Sequence, residues 1–191
     1  PQLRAQAIRS LRWSNQVPLL ERMLDRSVLD RESNPQVIRE LLLCHNLSDA
    51  HKSRWIDRAI DLWNGTESFS LASIALAFQH LSTPRLKQFF NRPVNPHRAM
   101  RLVKIARELK LPDTIPFLKE NYSRNIPEIS KLDILEALSH IDHPDAGRFS
   151  ISILTEEADF NVRQLALNYL SRRLNNVWKS LTNDPALKPA L

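Results

Sequence analysis

The chain has 191 residues, a length that predicts either one domain of ordinary size or a run of small repeated units. Apolar residues make up 42% and charged residues 25%, which is typical of a folded globular protein and argues against disorder. Two glycines exclude a Gly-rich phosphate loop, a nucleotide-binding fingerprint and a nucleophile elbow. One cysteine excludes an intrachain disulfide and a cysteine-cluster metal site, and the formal net charge is +6.

Apolar side chains recur at helical spacing along the chain, whereas strand-like alternation is nearly absent. The stripes comprise Leu3, Ala7, Ile8 and Leu11; Trp55, Ala59 and Leu62; Leu102, Ile105, Ala106 and Leu109; Leu132, Leu135 and Leu138; and Val162, Leu165, Ala166, Tyr169 and Leu170. Each stripe predicts an amphipathic helix with one buried face. The fold class is therefore predicted to be all-α.

A large apolar residue followed by a short polar turn recurs six times, at intervals of 34, 34, 30, 30 and 33 residues. These junctions are Trp13-Ser14-Asn15, Leu47-Ser48-Asp49, Leu81-Ser82-Thr83, Leu111-Pro112-Asp113, Ile141-Asp142-His143 and Leu174-Asn175-Asn176. A second class of breaker falls about midway between them, at 33–35, 65–66, 93–96, 125–127 and 159–161. Ser, Thr, Asn and Asp at such breaks favour helix N-caps, and proline directly after them fits the first helical turn.

Each unit is therefore predicted to consist of a helix A, a tight turn, a helix B and a longer turn. The predicted units are 1–32, 33–65, 66–95, 96–125, 126–158 and 159–191, within a single repeat domain that spans 1–191. A period of this length is the signature of an α-solenoid, because one helix pair cannot bury both of its apolar faces without neighbours.

The units resemble HEAT-type repeats of the armadillo/HEAT superfamily. Residues 159–170, with an Asp, a Val-Arg pair and then Ala and Leu at helical spacing, are similar to the first helix of that repeat, and 3–11 repeats the pattern. Residues 111–118 and 137–146 resemble its internal turn. The resemblance implies a right-handed α-solenoid of about six stacked helix pairs, whose B helices line a surface that binds proteins and sometimes nucleic acid. It also implies an Asp/Arg ladder between units, for which the candidates are Arg4, Arg163, Asp113 and Asp159.

On this interpretation the protein is a non-catalytic scaffold that binds a protein partner and needs no cofactor or metal. The polar candidates on the B-helix surface are Arg54, Arg58, Lys87, Lys119 and Arg148.

The alternative is binding of nucleic acid or another polyanion through segment 85–110, which holds eight basic residues and only Glu108 as a counter-charge. The eight are Arg85, Lys87, Arg92, Arg98, Arg101, Lys104, Arg107 and Lys110. A helix from about 97 to 110 would bury its apolar stripe and expose its cations. Of the adjacent Phe89 and Phe90, at least one is expected in the core, and the other could stack on a base.

A second alternative is an enzyme of the HEAT-like DNA glycosylase type. It rests on residue type alone: Trp55 and Trp63 share one predicted helix face, and Asp57 and Asp61 share another.

Histidines 140 and 143, next to Asp142 and Asp145, form the one tight group with metal-ligand chemistry. Because His143 precedes a proline and no third ligand is fixed by spacing, a polar turn is the favoured interpretation.

No membrane span is predicted, since no run approaches the roughly 18 to 20 apolar residues that a span needs. No signal peptide is visible, and the chain begins with Pro1, so we expect a domain excised from a longer cytoplasmic protein. Cys44 follows three leucines and is expected to be a buried, inert thiol.

Overall fold

The computed structural model describes residues 1–14, 16–25, 32–63, 71–91, 95–127 and 129–187, apart from the side chains of 17 and 23–25. Within these ranges the chain is all-helical and contains no strand, as the apolar periodicity predicts. None of the described helices combines the length and hydropathy that crossing a bilayer requires.

Eleven α-helices and two short 3-10 helices make up the described part. The α-helices are α1 (Gln2–Trp13), α2 (Val17–Asp25), α3 (Pro35–Leu42), α4 (Asp49–Leu62), α5 (Leu71–Gln79), α6 (Thr83–Asn91), α7 (Pro96–Leu109), α8 (Ile115–Arg124), α9 (Lys131–Ser139), α10 (Pro144–Glu156) and α11 (Phe160–Arg173). The 3-10 helices are Pro112–Thr114 and Lys179–Leu181.

The six predicted junctions all fall at helix ends. Five of them separate α1 from α2, α3 from α4, α5 from α6, α7 from α8 and α9 from α10, and the sixth follows α11. The odd-numbered helices are therefore the predicted A helices, and α2, α4, α6, α8 and α10 are the predicted B helices. The midway breaker at 65–66 and the first half of the one at 93–96 lie outside the described residues, as does Asn15.

Side-chain caps explain where most of these helices begin. Six residues accept a hydrogen bond from a free amide of the first turn: Asn34, Ser48, Asn95, Ser130, His143 and Asp159. Two helices end on a residue in the left-handed conformation, Lys110 with φ 56° and Asn125 with φ 46°. Short polar signals in the sequence thus fix both the starts and the ends of the helices.

The chain divides into two compact units, Pro1–Phe89 and Phe90–Leu191. In the first unit, α1 packs on α2 and α3, α3 packs on α4 and α5, and α4 packs on α5. The core around α1, α3 and α4 consists of Ala5, Ile8, Leu20, Val37, Leu41, Cys44, Leu47 and Trp55. Burial raises the pKa of the Cys44 thiol to about 11, which agrees with the inert thiol predicted there.

In the second unit, α9 is the central helix: it contacts α7, α8, α10 and α11. Its residues Ile134, Leu135, Ala137 and Leu138 are all fully buried. Nearer the C-terminus, Trp178 is buried and donates its indole N–H to the carbonyl of Ile141 at 3.3 Å.

The apolar stripes are confirmed as buried faces for α7 and for most of α9, but three predicted residues, Leu3 and Ala7 of α1 and Leu132 of α9, are exposed. Leu3 is 82% exposed and Leu132 is 42% exposed. In α1 the buried face runs through Ala5 and Ile8, so Leu3 lies on another side of the helix. In α9 the buried residues begin at Ile134, and Leu132 lies before them in the first helical turn.

Truncation of Leu138 tests the packing of α9. Because this side chain is fully buried at the centre of the second unit, Leu138→Ala should lower the free energy of unfolding by about 2 to 5 kcal/mol. Urea denaturation of both chains, followed by circular dichroism, measures this difference. Leu132→Ala, in the exposed first turn, is the matched control and should have a far smaller effect, and similar losses in the two variants would contradict the assigned face.

Candidate functional site

A groove of about 310 Å³ in the second unit brings together polar and aromatic side chains beside Lys119, one of the predicted binding residues. We call it the aromatic groove. Its lining residues come from the end of α8, the start of α9 and the second half of α10: Tyr122, Ser123, Asn125, Lys131, Phe149, Ser152, Ile153, Glu156 and Glu157.

A buried carboxylate organises one wall of this groove. The Glu157 side chain is only 8% exposed, and its Oε2 accepts a hydrogen bond from Lys131 Nζ at 2.6 Å and another from the Tyr122 hydroxyl. Its Oε1 accepts from the main-chain N–H of Asp159 at 3.1 Å. A buried charge is tolerated only when it is paired in this way, so Glu157 holds Lys131 and Tyr122 in fixed positions.

The same contacts shift two pKa values in opposite directions. Hydrogen bonds from Lys131 and Tyr122 stabilise the ionised carboxylate and lower the pKa of Glu157 to about 2. Burial, followed by the adjacent negative charge of Glu157, raises the pKa of the Tyr122 hydroxyl. Tyr122 therefore remains a neutral hydrogen-bond donor, and its pairing is structural.

Two aromatic rings in the groove each have a lysine over one face. Tyr122 and Phe149 meet edge to face, with ring centroids 5.4 Å apart. Lys131 Nζ lies 5.1 Å from the Tyr122 centroid, and Lys119 Nζ lies 5.3 Å from the Phe149 centroid. Each distance is within the range of a cation–π contact, so each lysine is held over the ring that it faces.

The structure separates the five residues predicted for partner binding. Lys119 lies on α8 beside the aromatic groove, and Arg148 lies on α10, where it pairs with Asp145 at 2.9 Å and Asp184 at 3.6 Å. The other three are in the first unit.

In that unit, the Nε of Arg58 donates to the main-chain carbonyl of Glu32 at 3.0 Å. Arg54 and Lys87 are exposed, and each already takes part in an interaction within the chain. Sequence reasoning missed Tyr122, Phe149 and Glu157, although the interval of 35 residues between Tyr122 and Glu157 is close to the repeat period.

The predicted basic segment is divided between the two units, and most of its described cations already have partners. Arg85 donates to Gln88 at 2.9 Å, and Arg107 pairs with Glu136 on α9 at 3.2 Å and with Glu108 at 3.5 Å. Four further cations have interactions within the chain: Lys87, Arg98, Arg101 and Lys104. Lys110 is exposed, and Arg92 lies outside the described residues.

The expectation that α7 exposes its cations is wrong in part, because Arg101, Lys104 and Arg107 are half-buried. The idea that one of the two adjacent phenylalanines stacks on a base is also not supported. Phe89 and Phe90 are both buried, and their rings pack edge to face on Phe78 and Phe117, respectively.

The remaining sequence candidates take structural positions. Trp55 is buried in the core of the first unit, where it cannot stack on an extruded base, and Trp63 is the C-cap of α4. Asp57 and Asp61 each have an interaction within the chain.

The histidine turn is a helix start, as favoured from the sequence. His143 caps α10 by accepting from Asp145 N–H at 3.2 Å, while Asp142 pairs with Arg173. His140 is the exposed C-cap of α9. In the described ranges, no group of three or more His, Cys, Asp or Glu side chains is placed to hold a metal ion.

The Asp/Arg ladder expected from the resemblance takes a different form where its partners are described. Arg4 pairs with Glu32 at 2.9 Å, and Arg163 donates to the main-chain carbonyl of Glu157 at 2.8 Å. Asp159 caps α11, and Asp113 lies in the first 3-10 helix.

The lowered pKa of Glu157 predicts a loss of stability in acid. The folded state favours the ionised carboxylate, so its contribution is complete above the ordinary pKa of about 4.5 and disappears as the pH falls towards about 2. Glu157→Gln should therefore be less stable than wild type at neutral pH, and the difference should shrink through this window. Chemical denaturation across the pH range measures it.

Glu156→Gln is the matched control, because Glu156 is an exposed neighbour with no described pairing. Its stability should run parallel to that of the wild type at every pH. A difference between wild type and Glu157→Gln that stayed constant through the acid range would contradict the pairing described here.

The resemblance to HEAT repeats rests on residues of the sequence and on the positions of the helices. Comparison of the chain with models of protein families, with curated proteins and with solved structures found no match. Membership of the armadillo/HEAT superfamily therefore stays a prediction.

Proposed function

We propose that this chain is a non-catalytic interaction module of HEAT-like helix pairs that binds a protein partner at the aromatic groove. Stacking of the pairs within each unit is supported by side-chain contacts that join residues about one repeat apart. Five such pairs have separations of 26 to 31 residues: Arg4 with Glu32, Arg9 with Glu40, Arg107 with Glu136, Lys131 with Glu157, and Arg173 with Asp142. Contacts between consecutive A helices, α1 with α3 and α7 with α9, support the same arrangement.

The observation that carries the proposed binding role is the pair of half-buried aromatic rings in one groove. Tyr and Phe are enriched where proteins bind proteins, because they offer a large apolar area with few rotamers to fix. Tyr122 and Phe149 are already locked by Glu157, by Lys119 and by each other. A partner side chain that enters the groove therefore meets a preorganised surface.

The charges around the groove favour a polypeptide over a polyanion. Lys131 lines the groove and Lys119 lies over its Phe149 ring, but the carboxylates of Glu156 and Glu157 line the same groove. Carboxylates repel a phosphate backbone, whereas a peptide segment carries side chains of both signs. The basic segment 85–110 is also a poor site for a polyanion, because most of its described cations already have partners within the chain.

Affinity capture with groove variants tests the proposal. Immobilised wild type is compared with two variants. Lys119→Glu reverses the charge over the Phe149 ring, and Ser152→Trp fills the groove from α10. At least one protein should be retained by wild type and depleted about tenfold with both variants, the ratio expected when one well-packed contact is lost. Quantitative mass spectrometry at low and high salt measures retention.

Lys179→Glu is the control for charge reversal, since Lys179 is exposed on the second 3-10 helix and does not line the groove. It should retain the same proteins as wild type. Recovery of nucleic acid alone, lost steeply at high salt, would support the polyanion alternative and count against this proposal. Equal retention by all the variants would also reject it.

A further inference from the structure

A second groove, in the first unit, is built from different chemistry. It has a volume of about 420 Å³ and lies between the adjacent A helices α1 and α3, so we call it the amide groove. It is lined by Gln2, Ala5, Gln6, Arg9, Gln36, Arg39 and Glu40. Apart from Ala5 every lining side chain is polar, and none of these residues is used in the role proposed for the aromatic groove.

A buried glutamate holds one arginine of this groove in place. Glu40 is 3% exposed, and its Oε1 accepts from Arg9 Nη2 at 2.6 Å and from Arg9 Nε at 3.2 Å. Its Oε2 has no hydrogen-bond partner and lies 3.4 Å from Arg12 Nη2. Two arginines thus share one buried carboxylate, and the group keeps an excess positive charge.

Glu40 therefore fixes the orientation of Arg9 and leaves part of its guanidinium accessible to a ligand. The Arg9 side chain is still 54% exposed, so part of the guanidinium faces solvent while the Nε and Nη2 groups are anchored. The hydrogen bond and the charge of Glu40 also raise the pKa of Arg9, which keeps the guanidinium cationic. An anchored guanidinium loses little conformational entropy when it binds an anion.

Further hydrogen-bonding side chains on both helices of the groove have no partner among the described residues. Arg39 is exposed on α3 and makes no side-chain hydrogen bond or ion pair with any described residue. The same holds for the side-chain amides of Gln2, Gln6 and Gln36. Each amide offers two donor hydrogens and one acceptor oxygen, which is the pairing that the N–H and C=O groups of an extended peptide require.

From this juxtaposition we propose that the amide groove binds an acidic segment of a partner protein, with an Asp or Glu carboxylate held between Arg9 and Arg39. The glutamine amides on the two helices pair with the main chain of that segment. The buried carboxylate of Glu40 reduces the local positive potential, which favours a singly charged carboxylate over the dense charge of a phosphate backbone. The proposal does not depend on the aromatic groove.

Fluorescence polarisation with defined probes tests it. The probes are a short fluorescein-labelled peptide of alternating Ser and Glu, its Ser and Lys counterpart, and an oligothymidylate of equal length. Wild type should bind the acidic peptide, more weakly as salt is added, and should not bind the basic one. Arg39→Gln should weaken binding of the acidic peptide about tenfold, as the loss of a charge-assisted hydrogen bond requires, and Arg39→Lys should restore part of it.

Arg22→Gln is the matched control, because Arg22 is exposed on α2, donates to the Pro18 carbonyl of its own helix, and does not line the groove. It should bind like wild type, as should Lys119→Glu and Ser152→Trp, which separates this test from that of the aromatic groove. The proposal is overturned if the acidic peptide does not bind, if Arg22→Gln weakens binding as much as Arg39→Gln, or if oligothymidylate binds equally well.

Discussion

Helix α9 sets the central constraint on the second unit, because five of its nine residues are apolar and four of these are fully buried. Ile134, Leu135, Ala137 and Leu138 are fully buried and lie on several sides of a helix of only nine residues. Such a helix is marginal in water by itself and gains its stability by packing against other helices. The surrounding helices α7, α8, α10 and α11 must therefore assemble around it, and their outward faces are what remain available for binding.

Much of the polar surface is also committed to holding the helices together. The chain carries a formal charge of +6, but arginines and lysines on one repeat pair with carboxylates about thirty residues away, as Arg9 does with Glu40 and Lys131 with Glu157. Exposed ion pairs contribute little stability, whereas a buried carboxylate that loses its partner is costly. Net charge is consequently a poor guide to binding in this protein, and a cation without a partner among the described residues, such as Arg39, is more informative.

The sequence was sufficient to predict the helices and the turns, because their signals are local. Asn34 and Asp159 cap helices where a short polar side chain precedes an apolar stripe, and Cys44 is buried as its leucine neighbours indicate. The pairing of charges was not predictable in the same way. Whether an arginine lacks a partner among the described residues, as Arg39 does, or is anchored, as Arg9 is, depends on which rotamer reaches which carboxylate across two helices. A sequence separation close to the predicted repeat period limits which carboxylates an arginine can reach, but it does not identify the one that pairs with it.

The two grooves share one structural feature. In each, a buried glutamate fixes a cation at the edge of a groove: Glu157 fixes Lys131, and Glu40 fixes Arg9. Beside Lys131 the neighbouring groups are two aromatic rings and the carboxylates of Glu156 and Glu157, so this groove combines an aromatic surface with charges of both signs. Beside Arg9 they are amides and Arg39, so the same anchoring leaves a polar surface with excess positive charge. In both grooves a glutamate side chain with little exposure to solvent orients a cation. The groups beside that cation then distinguish the two surfaces.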